Sequence, residues 1–302
     1  MPAMKTDIHA DDFALTPNTS KDILDCMKKG RLDSISIVPN MSCFDDCMDM
    51  LYEAIPSLPF LPKMSVHLNL VEGTALSGSP ALKGLSWKDL FLGSYLPSKR
   101  KLLLPLLTKE ISAQIEKCAK ASDRCLLIAK EHDISCSQNG LRIDSHQHTH
   151  HIPIVWKALM NVTEERDLNV EYIRNSREPL SVFFGRPELF ASYRPVNMIK
   201  NILLSLYSKK IDDFCYLHGM QKMYLWGLVM SGRMDSFRIQ KLKNLMKKKA
   251  EKDGRELEIL FHPGLAADDE VTCELDPKAA RDFYLDRCRH VEKESVMKKA
   301  AL

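Results

Sequence analysis

The sequence predicts an α/β fold with a parallel sheet flanked by helices. Three observations carry this. Short alternating or β-branched runs take turns with stretches of helical period, the order that parallel strands joined by helices produce. Polar clusters follow several of those strands, and α/β proteins build their sites at strand ends. No glycine-rich phosphate loop follows the first strand. A closed barrel and an open doubly wound sheet both fit this order, so it leaves the choice between them open.

The elements follow in order. Residues 5–9 form a first strand, more polar than a buried strand usually is, running into His9-Ala10-Asp11-Asp12-Phe13. Residues 18–29 have a helical period, with Ile23, Leu24 and Met27 on one side and Asn18, Thr19 or Ser20 as cap. Residues 32–39 alternate and are β-branched, a strand. A helix covers 47–55. Residues 64–71 set Val66, Leu68 and Leu70 against Ser65, His67 and Asn69, a strand with a polar face. Residues 73–97 are rich in Gly, Ser and Pro and read as loop. Thr108 caps a helix reaching about residue 130. A strand at 140–145, a helix at 154–166 and a strand at 168–174 come next. Residues 190–235 resist assignment; their aromatics and methionines cover the core or rim the site. Ser236–Lys252 is a basic amphipathic helix with Lys247, Lys248 and Lys249 on its solvated face, and Glu256–Phe261 is a strand.

A chain of 302 residues can bury one large core. Hydrophobic residues at 45% and charged residues at 27% argue against disorder. A net charge of +3, from 43 basic and 40 acidic side chains, gives no electrostatic reason to expect nucleic acid or an anionic membrane as partner. No apolar run reaches the roughly 18 residues of a membrane span, and the N-terminus does not look like a secretory signal. The nine cysteines are scattered, odd in number and without a CxxC pair, which reads as free thiols in a reducing cytoplasm. Apolar residues between positions 207 and 229 leave a homodimer interface or inward packing open.

Four clusters can carry chemistry. Asp11 and Asp12 would alternate sides in extended chain, so both serve one site only at a strand end or turn. His67 and Asn69 share a face; a lone histidine there is more often a satisfied structural one. Residues 144–151 hold four of the ten histidines, directly after a strand. Neutral imidazole is the commonest ligand for zinc and related ions. His262 follows the last strand, where a histidine suits acid–base work near neutral pH. Two histidines, one carboxylate and an open position is the composition of many catalytic zinc sites. Such an ion acidifies water and polarises a carbonyl.

The motifs and their order resemble the YdjC-like (ChbG-type) carbohydrate deacetylases. HADDFALTP resembles that family's opening Asn-Ala-Asp-Asp-Phe-Gly block, HLNLVEG its second strand, DSHQHTH its histidine block, YIRNSREP an arginine-bearing strand and HPG its closing motif. The resemblance runs from about residue 7 to 264. It implies a distorted, seven-stranded (β/α) barrel related to the polysaccharide deacetylases, as a single domain over 1–302 with about 265–302 a C-terminal helical extension. It implies hydrolysis of a linear amide C–N bond, the acetyl group of an N-acetylated sugar such as a chitooligosaccharide. It implies one divalent ion, zinc or magnesium, held by Asp12, His67 and His146. Asp11 is then the base, His262 the general acid, and Arg174 orients a catalytic carboxylate or contacts substrate. His148, His150, Asp144, Glu72 and Gly73 are expected in supporting structural roles, Asp144 orienting a ligand histidine or capping the following turn, and Glu72 and Gly73 shaping the loop after the second motif. Two positions depart from the pattern: His9 stands where the family usually has Asn, and Ala14 where it usually has Gly. Another acyl amide or ester, or an inactive metal- and sugar-binding protein, are the competing readings.

Overall fold

The computed structural model describes residues 5–298. Seven strands, β1 (Thr6–Phe13), β2 (Ser34–Ile37), β3 (Lys63–Leu68), β4 (Leu141–Ser145), β5 (Val170–Ile173), β6 (Met223–Trp226) and β7 (Glu256–Phe261), form one sheet. Its order is β5-β4-β3-β2-β1-β7-β6, and every pairing is parallel. The sheet curls into a half-barrel surrounded by helices. Its two edges are tied without a full ladder. Leu225 of β6 donates its N–H to the Arg177 carbonyl at 3.0 Å, and the Glu178 carboxylate accepts from Gly227 and Val229 at 2.9 and 2.7 Å.

The strand alternation splits the sheet into an apolar and a polar face. Ala10, Ile35, Ile37, Val66, Ile143 and Ile259 are buried in the main core with helix residues such as Ile23, Met27 and Leu107. The alternate positions carry His9, Asp11, Ser34, Ser36, His67, Asp144, Arg174 and Glu258, all buried and bonded to one another. Buried charges survive only when paired. Here they are, from Asp7–Arg142 at one end to the Arg174–Asp11 fork at the other.

The helices are α1 (Pro17–Lys28), α2 (Phe44–Ala54), α3 (Trp87–Tyr95), α4 (Pro97–Glu131), α5 (Pro153–Glu165), α6 (Pro195–Leu206), α7 (Ser208–Leu217), α8 (Ser236–Lys252), the single turn α9 (Pro277–Ala279) and α10 (Cys288–Met297). Three sequence expectations need correction. The cap of α1 is Thr16, whose side chain accepts from the Thr19 N–H, with Pro17 at the first helical position. The expected loop at 73–97 contains α3, opened by a capping box in which Ser86 and Asp89 satisfy each other's backbone N–H. Thr108 caps nothing: α4 starts at Pro97, runs through Pro105, and the Thr108 hydroxyl bonds back to the Leu104 carbonyl. After β4 the histidine cluster forms a tight coil at His146–His151, with Gln147 and His148 at φ +54° and +60°. Among the described residues no helix is long and apolar enough to cross a membrane.

Candidate metal centre

Asp11 and Asp12 reach one site because β1 is irregular at its end. Its register against β2 shifts between Ala10 and Phe13, and Asp12 sits at φ +73°. That left-handed residue breaks the alternation which would have sent the two carboxylates to opposite faces. Ala14 follows at φ +65°, fully buried, with its N–H on the Ser20 hydroxyl at 2.9 Å. This is the position where the resemblance expects glycine, and the left-handed turn is kept despite the extra methyl.

Asp12, His67 and His146 offer one ligand atom each, all within 4.8 Å of one another. Asp12 Oδ1 lies 3.6 Å from His67 Nε2 and 3.2 Å from His146 Nδ1. The donor chemistry fits a divalent ion. His67 Nδ1 gives its proton to Asp144 Oδ1 at 2.6 Å, which leaves the Nε2 lone pair facing the triad. His146 Nε2 faces Glu72 Oε2 at 3.1 Å and the Tyr284 hydroxyl at 2.9 Å, which leaves Nδ1 facing Asp12. A carboxylate behind each ligand imidazole fixes ring and tautomer and raises basicity. Asp144 therefore fixes the His67 ring, as Glu72 fixes that of His146. Glu72 also does more than shape its loop.

Asp11 is held from below. Arg174 forks onto it, Nη1 to Oδ2 at 2.9 Å and Nη2 to Oδ1 at 2.8 Å. The same guanidinium reaches Asp144 at 3.1 Å and Glu258 at 2.7 Å. Burial pushes the Asp11 carboxyl up, but Arg174, with His67 and His9, outweighs it and holds it well below the usual carboxylate range. Oδ1 also meets His9 Nε2 at 3.1 Å, whereas Oδ2 looks into the site, 4.0 Å from both His67 Nε2 and His262 Nε2. His262 stands on the other side with its backbone N–H on Glu292 at 2.7 Å and its ring edge-on to Phe283 at 5.2 Å.

These groups open onto a cleft of about 250 Å³. Its far wall carries His148, Arg194, Asn197, Lys200 and Leu228. Burial lowers Lys200 to about 8. His148 bonds the Ser176 hydroxyl at 2.9 Å, and burial, with Lys200 and Arg174 nearby, keeps its pKa well below the usual value. His150 faces away, bonded to Ser145 and to the Arg174 carbonyl. A larger cavity, about 350 Å³, opens at the N-terminal strand ends, where Asp7 and Arg142 already neutralise each other.

All six expected site residues, Asp11, Asp12, His67, His146, Arg174 and His262, thus converge. Sequence reading missed those that arrive from the C-terminal segment. Tyr284 bonds His146 and Glu72, Arg289 pairs with Asp12 at 2.5 Å, and Glu292 holds the His262 backbone. Arg289 and Glu292 stand three apart on one face of α10, a spacing that every helix contains, so nothing marked them.

A family model described as YdjC-like protein matches residues 7–126 and 141–301. No curated protein matches the chain. Among solved structures, a protein from Enterococcus faecalis V583, provisionally described as a cellobiose-phosphate cleavage protein, aligns with a TM-score of 0.53 at 16% identity, covering 99% of this chain and 96% of its own. At that identity the likeness speaks for the fold alone.

Proposed function

This chain belongs to the YdjC-like protein family, and on that premise we propose that it is a metal-dependent hydrolase removing the acetyl group from N-acetylated sugars. One observation carries the reading. A fixed carboxylate oxygen, Asp11 Oδ2, and an imidazole nitrogen, His262 Nε2, face each other at 4.0 Å beside three convergent ligand atoms. That is a base, an acid and a cation seat around one small volume.

A divalent ion held by Asp12, His67 and His146 would supply Lewis acidity toward an acyl oxygen and toward water. The protein's own groups do the rest. Asp11 takes a proton from the attacking water at Oδ2, the oxygen turned away from His9. Arg174 keeps that carboxylate ionised and aimed. His262 gives a proton from Nε2 to the departing amine, its ring steadied by Phe283 and its backbone by Glu292. The products are acetate and a free amino sugar. The segment from about 265 onward belongs to this catalytic unit in the proposal, within one domain over 1–302. The nine cysteines, none disulfide-bonded, support a reducing, cytoplasmic setting.

The test is acetate release from N-acetylglucosamine oligomers by purified protein, with chelator and with zinc, magnesium or manganese restored. Release that stops with chelator and returns with metal supports the reading. Sugar binding without release under every metal sinks it. In the same assay D11N should keep its metal content and lose about 10²- to 10⁴-fold in turnover, the usual worth of a general base.

A further inference from the structure

We infer that Arg289, from the C-terminal helix, sets how tightly the Asp12–His67–His146 triad holds an ion, because it keeps one oxygen of the Asp12 carboxylate and a fixed positive charge beside the seat. The inference rests on the metal reading proposed above.

The Asp12 carboxylate is divided between two tasks. Oδ1 faces His67 and His146 at 3.6 and 3.2 Å. Oδ2 accepts from Arg289 Nη2 at 2.5 Å. The guanidinium is fully buried and held in place: Nη1 reaches the Gly264 carbonyl at 3.4 Å, and its plane lies over the rings of Phe283 and Tyr284 at 4.5 and 4.9 Å. Tyr284 in turn bonds His146, so one C-terminal segment grips two of the three ligands.

Two consequences follow from charge and geometry. Only Oδ1 is offered, so Asp12 binds through one oxygen. The Asp12 carboxylate is also already paired with Arg289 before any cation enters. An incoming divalent cation must then settle beside a fixed like charge in a poorly screened interior. Arg289 therefore stabilises the empty site and weakens the loaded one, which makes the ion exchangeable. Without that charge the buried Asp12 carboxylate of the empty site would keep only its contact with His146 at 3.2 Å, and ion binding would relieve it.

The experiment strips full-length protein with chelator and titrates Mn²⁺ by calorimetry into wild type, R289Q, R289K and H67A. Circular dichroism checks folding, and ion-free melting temperatures are measured alongside. R289Q should bind Mn²⁺ about tenfold tighter or more, since it loses a full charge next to the seat. R289K keeps the charge and should stay within about threefold of wild type. Ion-free R289Q should melt lower than ion-free wild type and gain more from Mn²⁺. Equal or weaker binding by R289Q reduces Arg289 to a packing residue and overturns the inference. Should R289Q not fold, side-chain NMR of wild type decides: the Arg289 Nη–H signals should remain protected when Zn²⁺ is added, and their loss would show that the ion displaces the arginine. Wild type and H67A that both fail to bind would instead remove the metal reading itself, a result distinct from either.

Discussion

The two serines of β2 each spend their only proton on a carboxylate. Ser34 donates to Asp7 at 2.6 Å and Ser36 to Asp144 at 2.5 Å. His9 touches both hydroxyls, Nδ1 to Ser34 and Nε2 to Ser36, each at 2.6 Å. With their protons committed, the hydroxyls can only accept, so both ring nitrogens must donate. His9 is therefore an imidazolium. Burial opposes that charge, but Glu258 and Asp11 outweigh it and raise the pKa. The side chain that departs from the family's asparagine thus adds a cation to a cluster rich in carboxylates. H9N should cost about 3 kcal/mol in urea unfolding, the order expected when a buried charge loses its partner. A variant as stable as wild type would mean that His9 is neutral. Asp144 permits a second test at this scale. D144N keeps shape but no longer demands the His67 Nδ1 proton, and metal affinity by calorimetry should fall about 10- to 100-fold.

Elements divide by how local their cause is. α8 and β7 have the bounds the sequence predicts, because each carries an uninterrupted period of its own. β6 was not legible. Met223–Trp226 is four residues, all buried and without alternation, and only its neighbours make it a strand. α3 was legible in principle, since Ser86 and Asp89 form a capping box, but the surrounding glycines and prolines outweighed that signal. The loop after β3 shows how an element positions a ligand. Asn40 fastens it, donating to the carbonyls of Asn69 and Glu72 at 3.2 and 2.9 Å, and Gly73 follows at φ +74°. A Cβ on Gly73 would lie 2.6 Å from the Asn40 carbonyl oxygen. G73A meets both a left-handed backbone and a backbone clash, and should cost about 2–3 kcal/mol of stability. Because Glu72 backs His146, the same variant should also weaken metal binding, which separates it from a loop change far from the site.

At the scale of the molecule the decisive event is the approach of the sheet's two edges, and no local pattern announces it. The choice between open sheet and barrel was unreadable from periodicity for this reason, and the curled form entered only through the family resemblance. Glu178 stands at the join, accepting from Gly227 and Val229, while Asn201 of α6 pairs with its backbone at 3.0 and 2.8 Å. Burial raises its carboxyl to about 7 against those backbone donors. In the unfolded chain a glutamate titrates near 4.3. Between about pH 4.3 and 7 the folded state therefore binds the extra proton, and the contribution of Glu178 to stability falls as pH rises through that window, then levels off. At 1.36 kcal/mol per unit the loss is at most about 4 kcal/mol. Buried His148, His150 and His151, whose pKa values burial lowers (His150 to about 3), act in the opposite sense over an overlapping range, so the raw pH curve mixes these contributions. The difference between wild type and E178Q isolates the effect. Glutamine cannot ionise, so E178Q should gain on wild type by up to about 3 kcal/mol between pH 5 and pH 8. A stability gap independent of pH would mean that Glu178 stays ionised throughout, and that its carboxylate is stabilised by the three-residue turn at 227–229 as strongly as by water.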